Sequence, residues 1–131
     1  MEAQKKVLVV DDDPDEVQAM KVVLEERGYV VQDARNGEEG LERARREMPD
    51  LVILDVMMTR GDEGFDVCRT LKADRDLKGI PVILLTALKE RTGFDFKPQA
   101  GNEEWLPADE YLDKPVKPEE LLAKVKRLTR G

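Results

Sequence analysis

Apolar positions along the chain alternate between two periods. Short, almost wholly apolar runs occur at "VLVV" (7–10), "LVIL" (51–54) and "PVILL" (81–85), with weaker ones at "YVV" (29–31) and "EYL" (110–112). Runs this short and this rich in Val and Ile predict strands covered on both faces, as in a parallel sheet. Between them the spacing becomes helical. Asp13 is placed to cap a first helix, with Pro14 at its first position and Glu16 completing a capping box. Val17, Met20 and Leu24 then recur on one face, and Gly28 supplies the stop. Asn36 starts a second helix that carries Leu41, Ala44 and Met48 inward and ends at Pro49. A third runs from about Phe65 to Ala73, with Phe65, Cys68 and Leu71 on its buried side. The last begins at Pro118 and carries Leu121, Leu122, Val125 and Leu128. Five strands alternating with helices predict a single α/β domain over residues 1–131, built on a parallel sheet.

One stretch fits this rhythm poorly. "LKERTGFDFKPQAGNEEWLPA" (88–108) holds two Pro, two Gly and three of the six aromatic residues. It predicts an extended connection between the fourth and fifth strands. A connection of that length is usually functional or mobile.

Composition narrows the chemistry. A net charge of −7 argues against a nucleic-acid surface, which needs clustered Lys and Arg to neutralise phosphates. No apolar run approaches the ~20 residues of a membrane span. The start, "MEAQKKVLVV", lacks a signal-peptide pattern, and the single cysteine, Cys68, forms no internal disulfide. A cytoplasmic protein is therefore expected. The chain has no histidine, which removes Ser-His-Asp and Cys-His catalysis and His-ligated metals. Hard oxygen chemistry is left.

In an open parallel sheet, ligands bind at the carboxyl ends of the strands, near the point where strand order reverses. Those ends carry Asp11 and Asp12 after the first strand, Asp55 after the third, Thr86 after the fourth and Lys114 after the fifth. Three carboxylates converging on one rim repel one another unless a cation offsets them. Mg²⁺ takes oxygen ligands and commonly uses one or two carboxylates, waters and a phosphate oxygen. Such an ion would permit Asp55 to attack a phosphoryl group and form an acyl phosphate. Lys114 would balance charge on the phosphoryl oxygens and Thr86 would donate a hydrogen bond to one of them. Singly, each residue has a plainer reading: a capped turn, a polar strand end, a hydroxyl on nearby backbone, a surface lysine. Together the plain readings must explain four strand ends independently.

At these residues the chain resembles the receiver domain of two-component response regulators. The matching pieces are "VLVVDDDPDE", "PDLVILDVMM", "PVILLTA" and "YLDKPVKPEEL", in the family's order and over essentially the whole length. The resemblance implies a flavodoxin-like five-stranded parallel sheet of order 2-1-3-4-5 with helices on both faces. It implies that Asp55 accepts phosphate from a phosphohistidine on a sensor histidine kinase or phosphotransfer protein. Asp12 would bind Mg²⁺ directly, Asp11 directly or through water, and the backbone carbonyl of Met57 would be a further ligand. Thr86 and Lys114 would contact the phosphoryl group. Tyr111 matches the aromatic that turns inward as Thr86 shifts, and Lys114-Pro115 matches a peptide bond typically cis in the family. Met57 and Leu88 occupy positions that tend to control attack by water, and both are apolar, so slow self-dephosphorylation is expected.

Two departures stand out. Thr59 replaces a usual Pro, with one extra residue in "MMTRGDEGFD", and the span from Thr86 to Lys114 is longer than usual. Phe94, Phe96 and Trp105 in that span are expected to pin it to the domain or to form a docking surface. Cys68 is read as plain packing, and "KVKRLTR" as the solvated face of the last helix. Few residues follow that helix, so output is expected through a downstream protein partner, or through a longer chain of which this is a piece. Two competitors remain at this stage. One is a Mg²⁺-dependent phosphohydrolase of the haloacid-dehalogenase type, with its nucleophile in "DDDPD"; the other is a receiver-like adaptor that is never phosphorylated.

Overall fold

The computed structural model describes residues 4–56, 63–86 and 108–129, with side chains of residues 63–65 left undescribed. The elements are β1 (Lys6–Val10), α1 (Pro14–Glu25), β2 (Val30–Ala34), α2 (Gly37–Glu47) and β3 (Leu51–Asp55). They continue with α3 (Glu63–Ala73), β4 (Val82–Thr86), β5 (Glu110–Asp113) and α4 (Pro118–Thr129). All strand pairs are parallel, and the sheet order is β2-β1-β3-β4-β5.

The near-continuous apolar strands are explained by burial on both faces. Val7, Val9, Leu51, Ile53, Ile83 and Leu85 face a cluster with Val17, Met20 and Leu24 of α1 and Leu121 and Val125 of α4. The alternate residues Leu8, Val10, Val52, Leu54, Val82 and Leu84 face Ala44 of α2 and Val67, Cys68 and Leu71 of α3. Strand side chains point to opposite faces in turn, so two helical layers claim every position. Cys68 is fully buried in the second cluster, as plain packing requires.

Local signals place most helix ends. Asp13 caps α1 through a hydrogen bond from the Asp15 N–H (2.9 Å), and Asn36 caps α2 through one from the Glu39 N–H (2.8 Å). Gly28 follows α1 with φ +91, a conformation that favours glycine. Two expectations need correction. Glu16 does not close a capping box, because the Asp13 N–H already donates to Asp11 Oδ1 (2.9 Å). Met48 does not point inward: it is the C-cap of α2, left-handed at φ 48, and 48% exposed. One residue beyond the helix, that backbone turn swings its side chain off the buried stripe. The inward positions of α2 are Gly37, Gly40 and Ala44, with Leu41 only partly buried.

Gly40 has a steric reason. A Cβ there would lie 2.9 Å from Val10 Cγ2 and 3.0 Å from Cγ1, and Val10 is 1% exposed. Ala would gain about 1 kcal/mol of helix propensity over Gly, but overpacking a core costs about 1–3 kcal/mol. Gly40→Ala is therefore expected to lower the urea midpoint; a raised midpoint would show that α2 has room to retreat from β1.

Some expectations lie outside the described residues: Met57, Thr59, Leu88, Phe94, Phe96 and Trp105, the Phe65 side chain, and all of the 88–108 connection except Ala108.

Candidate functional site

The order β2-β1-β3-β4-β5 reverses direction between β1 and β3, so the crevice of the sheet opens at their carboxyl ends. Asp55 is the last residue of β3, pairs in register with Leu85 and is 1% exposed. Asp11 directly follows β1 and is 2% exposed. Its N–H donates to Ala34 O at the end of β2 (3.0 Å), which anchors the turn into α1. Asp12 is exposed beside it. One carboxylate oxygen from each of Asp11, Asp12 and Asp55 lies within 4.8 Å of the others.

Lys114 reaches the same point from the far side. Its backbone N–H donates to Thr86 O (2.9 Å), which ties the end of β5 to that of β4, and the Lys114-Pro115 peptide bond is cis. Its ammonium donates to Asp55 Oδ2 at 2.9 Å. Its Nζ also lies 3.0 Å from Glu16 Oε1 in the first turn of α1. Sequence reasoning missed that contact. The available signal was the spacing: Glu16 stands four residues after Asp12, on the turn nearest the rim.

The electrostatics are unbalanced. Burial, reinforced by the neighbouring Glu16 carboxyl and the charge of Asp55, pushes the Asp11 carboxyl up to about 8. Asp11 Oδ2 is buried, and among the described residues no hydrogen-bond donor reaches it. Lys114 is held above its ordinary value: burial works against its charge, but the hydrogen bond to Asp55 and attraction to Asp55 and Glu16 outweigh that. An oxygen-only donor set and an orphaned buried carboxylate oxygen fit a hard divalent cation such as Mg²⁺.

Thr86 closes β4 and is 4% exposed. Tyr111 pairs in register with Leu84, so strand alternation directs Thr86 and Tyr111 to the same face of the sheet, the one covered by α2 and α3. Tyr111 is half-buried against that cluster, and burial pushes its phenol up to about 12.

A family model described as the response regulator receiver domain matches residues 7–126. The chain belongs to that family. This receiver is 41% identical over 126 residues to the alkaline phosphatase synthesis transcriptional regulatory protein PhoP of Bacillus subtilis, covering 96% of this chain and 49% of that one. It is 38% identical over 129 residues to the DNA-binding response regulator MtrA of Mycolicibacterium smegmatis, covering 98% and 52%. The receiver thus spans about half the length of these curated relatives. Among solved structures, it is similar to the signal receiver domain of a signal transduction histidine kinase from Syntrophus aciditrophicus. That match has TM-score 0.81 and 37% identity, over 97% of this chain and 91% of that one. It is similar also to the chemotaxis response regulator CheY4 of Vibrio cholerae, with TM-score 0.81 and 30% identity, over 96% and 99%. The strand order expected from the resemblance is the one observed. Among the described residues, no helix is long and apolar enough to cross a membrane.

Proposed function

We propose that this receiver accepts a phosphoryl group on Asp55 from a phosphohistidine of a sensor histidine kinase or phosphotransfer protein. The reading rests above all on one arrangement: the Asp55 carboxylate, tied to Lys114 at 2.9 Å, beside the carboxylates of Asp11 and Asp12. An Asp55 oxygen forms the new bond to phosphorus as the phosphorus–nitrogen bond of the donor breaks, and the donor imidazole keeps that electron pair. The product on this chain is an acyl phosphate. Lys114 answers the charge of the phosphoryl oxygens, and Thr86 donates a hydrogen bond to one of them.

Asp12 would hold Mg²⁺ directly, Asp11 directly or through water, with Asp55 and the Met57 carbonyl completing the protein's share. Bound there, the cation supplies charge neutralisation for carboxylates and phosphoryl oxygens alike. Thr86 and Tyr111, on one face of the sheet, then bias a pre-existing equilibrium of the surface around β4 and β5, which a protein partner reads. The acidic balance of this span suits a protein partner rather than nucleic acid, in a cytoplasmic setting.

Intact-mass measurement after incubation with acetyl phosphate and Mg²⁺ tests the proposal. A gain of one phosphoryl group is expected, none after chelation of the divalent ion, and persistence well beyond seconds once the donor is removed. Uptake indifferent to chelation would refute the metal assignment, and decay within seconds would refute slow self-dephosphorylation.

A further inference from the structure

Glu16 is the rim residue that the strand ends do not account for. It projects from α1 rather than from the sheet, with Oε1 3.0 Å from Lys114 Nζ. The contact has the length of an ion pair but not the alignment of a hydrogen bond. Lys114 meanwhile donates to Asp55 Oδ2 at 2.9 Å. A single ammonium is thus shared between a carboxylate of the sheet and a carboxylate of a helix. The side chains of Lys114 and Glu16 are 19% and 35% exposed, so the pair is screened less than one standing free in solvent.

We propose that Glu16 is a positioning residue that competes with the phosphoryl group for Lys114 and thereby restrains phosphoryl capture at Asp55. The inference rests on the reading of Asp55 as acceptor and Lys114 as its charge partner. In the unmodified rim Lys114 serves two carboxylates. Acylation takes the charge from the Asp55 carboxylate and sets phosphoryl oxygens, carrying more negative charge, in its place. Asp55 therefore ceases to compete, whereas Glu16 keeps its full charge and goes on drawing the ammonium towards α1. The same carboxylate adds negative charge beside the incoming phosphoryl group. Both effects disfavour the modified state relative to the unmodified one. Because the contact is not aligned as a hydrogen bond, what Glu16 contributes is chiefly charge, which a glutamine of equal length lacks.

The test is equilibrium binding of beryllofluoride, a phosphoryl mimic, at saturating Mg²⁺, followed by amide chemical shifts in NMR. Glu16→Gln is expected to bind it about fivefold more tightly than the parent, the factor that a modest ion pair commands. Raising salt should narrow the gap, because the effect is Coulombic. Glu16→Asp, which keeps the charge but withdraws it by one methylene, should fall between the two. Saturating Mg²⁺ is required because loss of a carboxylate weakens cation binding, an effect of opposite sign. Equal or weaker beryllofluoride binding by Glu16→Gln overturns the proposal, weaker binding meaning that Glu16 holds Lys114 in its working place. If the parent itself takes up neither beryllofluoride nor a phosphoryl group from acetyl phosphate, the acceptor reading fails with it, and the parent alone reveals that.

Discussion

Asp55→Ala is expected to gain no phosphoryl group from acetyl phosphate and Mg²⁺ under conditions where the parent gains one. The loss should be complete rather than partial, since a covalent acceptor has no substitute once its oxygen is gone. Neither neighbouring acid is equivalently placed. Asp11 Oδ1 is committed to the Asp13 N–H, and Asp12 is exposed, whereas Asp55 is buried and receives the Lys114 ammonium at 2.9 Å. The variant should remain folded, because Lys114 keeps Glu16 as a counter-charge. Intact mass and an unfolding curve on the same sample check both halves of this expectation. Uptake that survives the substitution would move the nucleophile elsewhere. Turnover of a generic phosphate ester, abolished by Asp11→Asn but not by Asp55→Asn, would restore the haloacid-dehalogenase alternative.

Asp11→Asn should make the protein more stable and a poorer binder of Mg²⁺. The carboxyl is 2% exposed, one of its oxygens meets no donor among the described residues, and Asp55 and Glu16 surround it with like charge. Asn preserves the acceptor for the Asp13 N–H and has no charge to bury, whereas the Asp11 carboxyl at neutral pH must either ionise against Asp55 and Glu16 or take up a proton on folding. Relief of a buried, unpartnered polar group is worth on the order of 1–3 kcal/mol. For a chain of this size that corresponds to a rise in Tm of roughly 3–10 °C. Added Mg²⁺ should raise the Tm of the parent, because a ligand of the folded state stabilises it, and should raise that of the variant less. Thermal unfolding with and without Mg²⁺ is the measurement. A lower Tm for the variant in the absence of the ion would mean that the acidic rim is not under electrostatic stress, and with it the argument for a cation would weaken.

The two variants illustrate one trade. On the proposed reading, function at this rim calls for the three carboxylates that stand within 4.8 Å of one another, and the expected cost of holding them there is stability. Hence the triplet Asp11, Asp12 and Asp13 is not a uniform acidic turn. Asp13 caps α1, Asp11 is buried at the crevice and braces the turn, and Asp12 is exposed beside it.

Much of this was legible along the chain. The three strongest apolar runs became β1, β3 and β4 to within a residue or so, because burial on both faces writes itself into sequence as a near-continuous Val, Ile and Leu segment. The weaker run at 29–31 marked β2 but misplaced its extent, which is Val30–Ala34. On that edge strand Val30 is exposed, and Gln32 and Asp33 follow without a clear apolar period. Met48 misled for a related reason: apolar identity at helical spacing predicts burial only while the helix continues, and the left-handed turn ends it.

By itself the sequence determined which residues stand at the carboxyl ends of the strands, and so which side chains were available to the rim, since strand limits are marked by local patterns of apolar and polar residues. Only the tertiary structure decided where Glu16 spends its charge and why position 40 is glycine. Those depend on α1 meeting the end of β5, and on α2 pressing against β1. Each is an approach between segments distant along the chain, set by how helices settle on a sheet, and no local period carries that distance.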